Sequence, residues 1–300
     1  MVLEKIGRRG SFLIWEKYFK TFTNELTMDE IINYFSNAPD SHRILLLAGS
    51  FFVFGAVEQI IPLSKGYKKI PHSINNALFM LTAAPIQILG GYALVQAIGW
   101  TIPHHWGLLY HIPGMQYPLL LFLVTFILLD FFEYIYHVVM HKVKRLWMFH
   151  LVHHSDRIVD VSTTLREHPG ETFIRLSFLV LWVFLLGACF WALLFRQFIQ
   201  IFSNVFAHSH FRLNEKLDRV VGLIFITPNL HHVHHHFEQP YTDKNYGDIL
   251  SIWDRIFGTF ARMGKSEIVF GVDNYMEEKE NTNFANLSKI PFGKYRSNKK

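Results

Sequence analysis

Histidine is concentrated in three short stretches of this sequence, and the spacing within each stretch is that of metal ligands. The stretch HVVMH has histidines at 137 and 141, and HLVHH (150–154) has three at positions i, i+3 and i+4. Residues at these separations lie on one face of a helix. Imidazole is the commonest metal-binding side chain and suits zinc, iron, copper and nickel. These stretches therefore predict a metal site.

The third stretch, HHVHHH (231–236), contains two sets of histidines with the same i, i+3, i+4 spacing. One set is His231, His234 and His235, and the other is His232, His235 and His236. The spacing alone leaves both sets open as ligands.

With the first set and His208, the chain offers more imidazoles than one four- to six-coordinate ion can use, so two metal ions are predicted. The sequence leaves open whether His168 or His210 adds a tenth ligand. The candidate ligands are His137, His141, His150, His153, His154, His208, His231, His234 and His235.

Long apolar runs must position these histidines. A helix that spans a bilayer needs roughly 20 mostly apolar residues. Runs of at least this length cover 44–63, 77–100, 117–136 and 172–206, and half of all residues are hydrophobic. The sequence therefore predicts an all-α integral membrane protein, a helical bundle with the histidine-rich dimetal site at one face.

The last apolar run must return to the side on which it starts, because the histidines on both sides of it can meet only in that way. Its 35 residues give about 52 Å of helix at ~1.5 Å per residue, or two legs of about 26 Å. A helical hairpin with a break near Gly187 is predicted. The hairpin would be shallow, since the hydrocarbon core is ~30 Å thick.

Lysine and arginine are distributed so as to place the histidine-rich face in the cytoplasm. Loop 64–76 and segment 137–171 carry several basic residues, whereas loop 101–116 carries none. The basic residues of the lead-in 1–42 then fall on the wrong side. That conflict disappears only if the lead-in stays in the interface or the first span is re-entrant.

Polar segments flank the central region 43–262. Residues 1–42 read as a polar, amphipathic lead-in and 263–300 as a polar tail that is loose from Glu277 onward. The single cysteine, Cys189, excludes an internal disulfide and a cysteine-held cluster. The net charge of +5 is diffuse, so no nucleic-acid partner is expected.

Six motifs, in order, resemble those of the fatty acid hydroxylase/sterol desaturase superfamily of membrane-bound, histidine-rich diiron oxygenases. They are DFFEYIYHVVMH, LWMFHLVHHSD, REHPGE, FAHSHFRL, TPNLHHVHH and NYGDILSIWDRIFGTF, which lie between residues 130 and 260. The similarity extends from about residue 43 to 262. Counted from Pro228, the family's TPxxHxxHH motif makes His231, His234 and His235 the ligands.

The resemblance implies O2-dependent hydroxylation or desaturation of a lipid such as a sterol or fatty acyl chain, with two iron ions as cofactor. Zinc is a possible occupant. The sequence shows no electron-transfer module, so the resemblance also implies an external donor, a cytochrome b5 or a ferredoxin with its reductase. The enzyme would reside in the inner membrane of a bacterium or the endoplasmic reticulum of a eukaryote.

Carboxylates are expected around the ligands, because metal-bound imidazoles usually donate their other N–H to such a group. Asp130 and Glu133 share one helix face with His137. Asp254 and Arg166 complete the candidate catalytic residues, although either could belong to a structural ion pair. Further candidates are Asp156, Glu171 and Asp243.

Two other functions fit the same histidines. A zinc-dependent lipid enzyme would use the same ligands without O2 or redox chemistry. A metal transporter would place ionisable residues inside its spans, whereas here the histidines follow the spans. Oxygen dependence distinguishes the first alternative, and the position of the histidines disfavours the second.

Overall fold

The computed structural model describes residues 27–37, 40–63 and 69–296, which fold into helices joined by loops. Within these ranges the only extended pairing is two isolated antiparallel bridges, Phe225–Leu250 and His236–Phe270. The predicted all-α class is confirmed. Residues 1–26, 38 and 39 of the lead-in, loop residues 64–68 and the last four residues lie outside the described residues.

The helices in chain order are α1 Met28–Asn37, α2 Asp40–Ile60, α3 Lys69–Thr101, α4 Pro118–Lys142, α5 Lys144–His154, α6 Pro169–Leu186, α7 Phe190–His208, α8 Glu215–Val221, α9 Pro228–His234, α10 Ile252–Ile256, α11 Glu278–Asn281 and α12 Phe284–Leu287. Short 3₁₀ turns occupy Leu108–His111, Val161–Leu165, Tyr241–Asp243, Lys265–Glu267 and Ile290–Phe292.

Four of the described helices, α3, α4, α6 and α7, are long and apolar enough to cross a membrane. Their outer faces carry exposed apolar side chains such as Ile88 and Leu89, which suits contact with lipid. The chain is therefore an integral membrane protein. The first predicted span is shorter than expected, since its apolar part is Ile44–Ile60. Pro62 follows closely, and proline cannot continue the helix.

The run 172–206 forms the predicted hairpin. Helix α6 ends at Leu186, Gly187 adopts the left-handed conformation with φ of 69°, and α7 begins at Phe190. The two helices have 18 and 19 residues, about 27 and 28 Å each. The chain thus returns His208 to the end of the bundle from which α6 starts.

Gly187 is required at this turn for two reasons. Its φ is one that L side chains rarely adopt, and a Cβ there would overlap the carbonyl oxygen of Trp106. We expect Gly187→Ala to destabilise the protein by more than the ~1–2 kcal/mol that the left-handed conformation alone costs. Thermal unfolding in detergent should show a lower Tm.

The matched control is Gly91→Ala. Gly91 lies inside α3, and a Cβ added there would meet no atom within 4 Å. Its Tm should equal or exceed that of the wild type, because alanine is the better helix former. Equal Tm values for Gly187→Ala and the wild type would contradict the requirement for glycine.

The segment from Val272 onward packs against the bundle and is not loose. Val272, Leu287 and Ile290 form one buried core with Trp147 and Leu151 of α5. The prediction of a loose tail from Glu277 is wrong for the described residues up to 292. Charged residues lie between these apolar positions, so the average composition of the segment is typical of a disordered chain. The average hides the few apolar side chains that pack against the bundle.

Candidate metal centre

The nine candidate ligands converge at one end of the bundle and form two groups. Within each group, one ring nitrogen from every histidine lies within 4.8 Å of the others. The five-histidine group is His137, His141, His150, His154 and His234. The four-histidine group is His153, His208, His231 and His235.

Two short helices divide their histidines between both groups. Helix α5 gives His150 and His154 to the five-histidine group and His153 to the other. Helix α9 gives His234 to the five-histidine group and His231 to the four-histidine group. His235, the residue that caps α9, also belongs to the four-histidine group. Each pattern therefore links the two groups, which makes them one centre.

The ends of these helices are fixed by local sequence. Val143 separates α4 from α5 in an extended conformation, with φ of −94° and ψ of 105°, so the histidines of the two helices can face each other. Helix α9 begins at Pro228, and the Thr227 side chain accepts the N–H of Leu230. Such an N-cap typically contributes ~1 kcal/mol.

Backbone carbonyl oxygens accept hydrogen bonds from Nδ1 of four candidate ligands. These pairs are His137 to Tyr246 (2.8 Å), His153 to Arg166 (3.3 Å), His208 to Asn204 (2.8 Å) and His234 to Lys244 (2.8 Å). A carbonyl only accepts, so Nδ1 must carry the proton in each. The other nitrogen, Nε2, then presents a lone pair to the centre.

Carboxylates have the same role at two other histidines. Glu171 Oε1 lies 2.5 Å from His150 Nδ1, and Asp243 Oδ1 lies 3.2 Å from His141 Nδ1. Asp243 also pairs with Lys142, 2.5 Å away. Such partners fix the tautomer and orientation of a metal-binding imidazole.

The Nε2 atoms face one another at distances that neutral rings do not adopt by themselves. His137 and His150 approach to 3.1 Å through Nε2, and so do His153 and His208. Both Nδ1 atoms of the second pair bond carbonyl oxygens, so two lone pairs meet. A cation between them removes the repulsion, and the donor set fits a metal.

Two further Nε2 atoms support the same conclusion. Those of His141 and His234 are buried and have no hydrogen-bond partner among the described residues. Buried polar atoms are normally satisfied. A bound metal ion would satisfy both.

Burial lowers the pKa of the His150 ring to about 3, although Glu167 acts in the opposite direction. Burial, and then the neighbouring histidines, likewise hold the pKa values of His154 and His235 well below the ordinary value. The rings are therefore neutral at pH 7. Metal binding requires this deprotonated form.

The structure does not assemble the rival set in HHVHHH. His232 is fully buried, and its Nε2 lies 3.1 Å from the carbonyl oxygen of Ser209. His236 Nδ1 accepts the N–H of Val269. The two further candidates also bond elsewhere, His210 to the Val159 carbonyl and His168 to the N–H of Gly170.

The sequence suggested that Asp130 would bond His137, but the structure does not show this contact. Its carboxylate accepts the N–H groups of Ile249 and Leu250 and the indole N–H of Trp253. Asp130 precedes His137 by seven residues, about 10 Å along the helix axis, which is beyond the reach of an aspartate. This bonding ties α4 to the segment that leads into α10.

Asp254 and Arg166 act on the backbone behind the ligands. Asp254 accepts the N–H groups of Tyr246 and Gly247, and the Tyr246 carbonyl is the partner of His137. Arg166 donates to the carbonyl oxygens of Val152 and Asn281, while its own carbonyl faces His153. In the described structure, neither side chain is hydrogen-bonded to a candidate ligand.

Glu133 lies in a cavity of about 240 Å³ that opens on five of the nine histidines. Its carboxylate is 3.9 Å from Arg196 of α7. Arg196 is not among the residues predicted from the sequence, although a charged residue inside an apolar run indicates a functional site. The histidines at the cavity wall are His137, His150, His153, His208 and His231.

Comparison with known proteins gives one family and several relatives. Residues 122–259 match the model of the fatty acid hydroxylase family. An alkylglycerol monooxygenase of Xenopus tropicalis is 28% identical over 242 residues, which are 74% of this chain and 48% of the relative. The ornithine lipid hydroxylase OlsE of Rhizobium tropici is 28% identical over 246 residues, which are 76% of this chain and 70% of the relative.

An alkylglycerol monooxygenase of Danio rerio is 33% identical over 159 residues, 50% of this chain and 32% of the relative. The chain thus spans about half the length, or less, of these alkylglycerol monooxygenases. No solved structure matches it.

Proposed function

The chain belongs to the fatty acid hydroxylase superfamily, and we propose that it is a membrane-bound, O2-dependent lipid hydroxylase whose nine histidines hold two iron ions. The observation that carries the proposal is the pair of histidine groups with their Nε2 atoms turned toward each other beside a cavity.

The number of imidazoles favours iron over zinc. Five imidazoles lie in one group, and they exceed the four ligands of a closed zinc site.

When bound, the iron pair would supply the activation of O2 and the removal of hydrogen from an unactivated C–H bond. The protein contributes orientation: Glu171, Asp243 and the four backbone carbonyls hold six rings with Nε2 pointing inward. It also shields His154, His234 and His235 from water, since these three rings have no exposed surface.

The relatives support the proposed substrate class and reaction. The names of two of them describe monooxygenation of an alkylglycerol and hydroxylation of an ornithine lipid. Both support a lipid substrate, and they favour hydroxylation over desaturation. The exposed apolar helices give a lipid substrate access from the membrane.

The stoichiometry requires a source of electrons. Hydroxylation combines a C–H bond, one O2, two electrons and two protons into a C–OH group and one water. We propose a cytochrome b5 or a ferredoxin with its reductase as the partner that supplies these electrons.

We place the histidine-rich face in the cytoplasm, supported by Lys142, Lys144 and Arg145 at that end. Single cysteines that replace the exposed Arg157 and Glu215, in a background without Cys189, should react with an impermeant reagent from the cytoplasmic side. A cysteine at His104 should react from the other side. Labelling of positions 157 and 215 from opposite sides would contradict the hairpin topology.

The function can be tested by lipidomics of cells with and without the protein, grown in air and under argon. We expect one lipid to be lost and a product heavier by one oxygen atom to appear, only in air and only with the protein. A product that forms equally under argon would favour the zinc enzyme.

A further inference from the structure

Two short segments that follow the last span expose a patch of large apolar side chains. In the first segment Val220, Leu223 and Ile224 are 67%, 57% and 52% exposed, and in the second Ile256 is 65% exposed. Residues 220–226 read VVGLIFI and carry no charge. A contiguous apolar surface of this kind marks contact with a membrane or another apolar partner.

The two segments form one structural unit. An isolated antiparallel bridge joins Phe225 of the first segment to Leu250 of the second. Beside it, the N–H of Ser251 donates to the carbonyl oxygen of Ile224 at 2.8 Å. We call this unit the wedge, residues 220–226 and 249–257.

Helix α4 holds the wedge at a depth that lies inside the membrane. The Asp130 carboxylate accepts the N–H of Leu250 at 3.3 Å and the indole N–H of Trp253 at 2.8 Å. Asp130 precedes the end of the apolar run 117–136 by six residues, about 9 Å along the helix axis. The hydrocarbon of one leaflet is about 15 Å thick, half of the bilayer core. These contacts therefore lie within the hydrocarbon of the leaflet on the histidine side.

Helix α7 holds the same segment at the same depth. The side-chain amide of Gln200 donates to Asp248, the residue directly before the second part of the wedge, at 2.7 Å. Gln200 also precedes the end of an apolar run, 172–206, by six residues, again about 9 Å. Two spans thus give the same depth independently.

The exposed face of the wedge continues the lipid-facing surface of α4. Phe257 is 52% exposed, and its ring centroid lies 5.8 Å from that of Phe131 and 5.4 Å from that of Tyr134. Ile127, one turn before Phe131 on the same helix face, is 43% exposed. The lipid that covers this face of α4 therefore also reaches the wedge.

The polar groups of the wedge are suited to a solvent that offers no hydrogen bonds. All five N–H groups of residues 222–226 donate to backbone carbonyl oxygens, as residence in hydrocarbon requires. The wedge contains two charged residues, Asp254 and Arg255. Asp254 is fully buried and accepts the N–H of Gly247 at 3.0 Å. Arg255 donates to the Gly222 carbonyl oxygen at 2.8 Å, and its guanidinium lies 3.8 Å from the centroid of the Phe260 ring.

We propose that the wedge is inserted into the leaflet on the histidine side, where its exposed apolar side chains contact lipid acyl chains. A second copy of the chain or a soluble partner would have to enter the bilayer to cover this face, because both anchoring contacts lie at hydrocarbon depth. The protein thus contacts the membrane core through an element that is not a span. Since Asp254 also holds the N–H of Tyr246 at 2.7 Å, the wedge ties the backbone behind His137 to the membrane.

Fluorescence quenching in lipid nanodiscs tests this placement. Single cysteines replace Ile224 or Ile256 in the iron-loaded, full-length protein without Cys189, and each is labelled with bimane. The nanodiscs contain phosphatidylcholine with or without bromine on the acyl chains, because bromine quenches only a fluorophore that it contacts. Brominated lipid should quench both positions as strongly as bimane at Ile88, which is 73% exposed on the spanning helix α3. Aqueous iodide should quench neither position.

Arg157→Cys is the matched control, since Arg157 is exposed in a polar loop at the histidine end. Bimane there should be quenched by iodide and not by brominated lipid. Iron content and elution volume equal to those of the wild type show that each labelled protein is folded. Quenching of the wedge positions by iodide would place them in water and overturn the proposal. Protection from both quenchers would mean that protein covers the wedge, which would overturn it as well.

An aspartate at Leu223 provides a second, independent test. In hydrocarbon a carboxylate is strongly unfavourable, so Leu223→Asp should have a Tm in nanodiscs clearly below that of Leu223→Ala. In water both changes at this exposed position would be nearly neutral. Equal Tm values for the two variants would therefore contradict insertion of the wedge.

Discussion

Replacement of His153 by alanine should abolish lipid oxidation and remove most of the iron from the purified protein. His153 brings α5 into the four-histidine group, where its Nε2 lies 3.1 Å from that of His208. Loss of a residue that only orients a ligand typically costs 10–100-fold in metal affinity or activity. Loss of the ligand itself should cost at least about 100-fold. The same result is expected at each of the other eight candidate ligands.

His104→Ala is the control for this variant. His104 is exposed, stacks on Trp100 at the opposite end of α3, and should retain full activity and iron. Iron per chain, measured by elemental analysis, and turnover should be compared for both variants. Full activity in His153→Ala would contradict a centre that is shared between the two groups.

The adjacent histidines His231 and His232 should respond in opposite ways to replacement by alanine. His231 Nε2 lies 2.9 Å from His208 Nε2, so His231→Ala should lose metal and activity. His232 points away and bonds the Ser209 carbonyl. His232→Ala should lower the Tm, because the residue is fully buried, but its folded fraction should keep its iron.

The measurement is iron per folded chain and turnover for each variant, with folded protein isolated by size-exclusion chromatography. Loss of iron in His232→Ala with retention in His231→Ala would mean that the ligand frame is shifted by one residue. The ligand assignment at HHVHHH would then be wrong.

Much of the architecture could be predicted from local sequence. The apolar runs indicated the helices, and the requirement that histidines on both sides of 172–206 meet indicated the hairpin at Gly187. The i, i+3, i+4 pattern indicated which histidines share a face. How the histidines divide between two groups could not be predicted, because it depends on how α5 and α9 pack against each other.

The partners of the histidines were harder to predict. Four of the six Nδ1 partners are backbone carbonyls, such as that of Tyr246 for His137, and every residue has a carbonyl. Asp130 was a plausible partner by periodicity, yet the tertiary structure uses it to hold the backbone near Leu250. The packed C-terminal segment was missed because its apolar anchors, Leu287 and Ile290 among them, are scattered between charged residues.

The most direct test of O2-dependent lipid hydroxylation is to supply 18O2 to the iron-loaded protein with a reductant and a lipid extract. One oxygen atom of O2 should enter the lipid, so the product should be heavier by 18 mass units than its substrate and two units heavier than the product made in air. His153→Ala should give none. An unlabelled hydroxyl group in the product, which would come from water, would contradict the account.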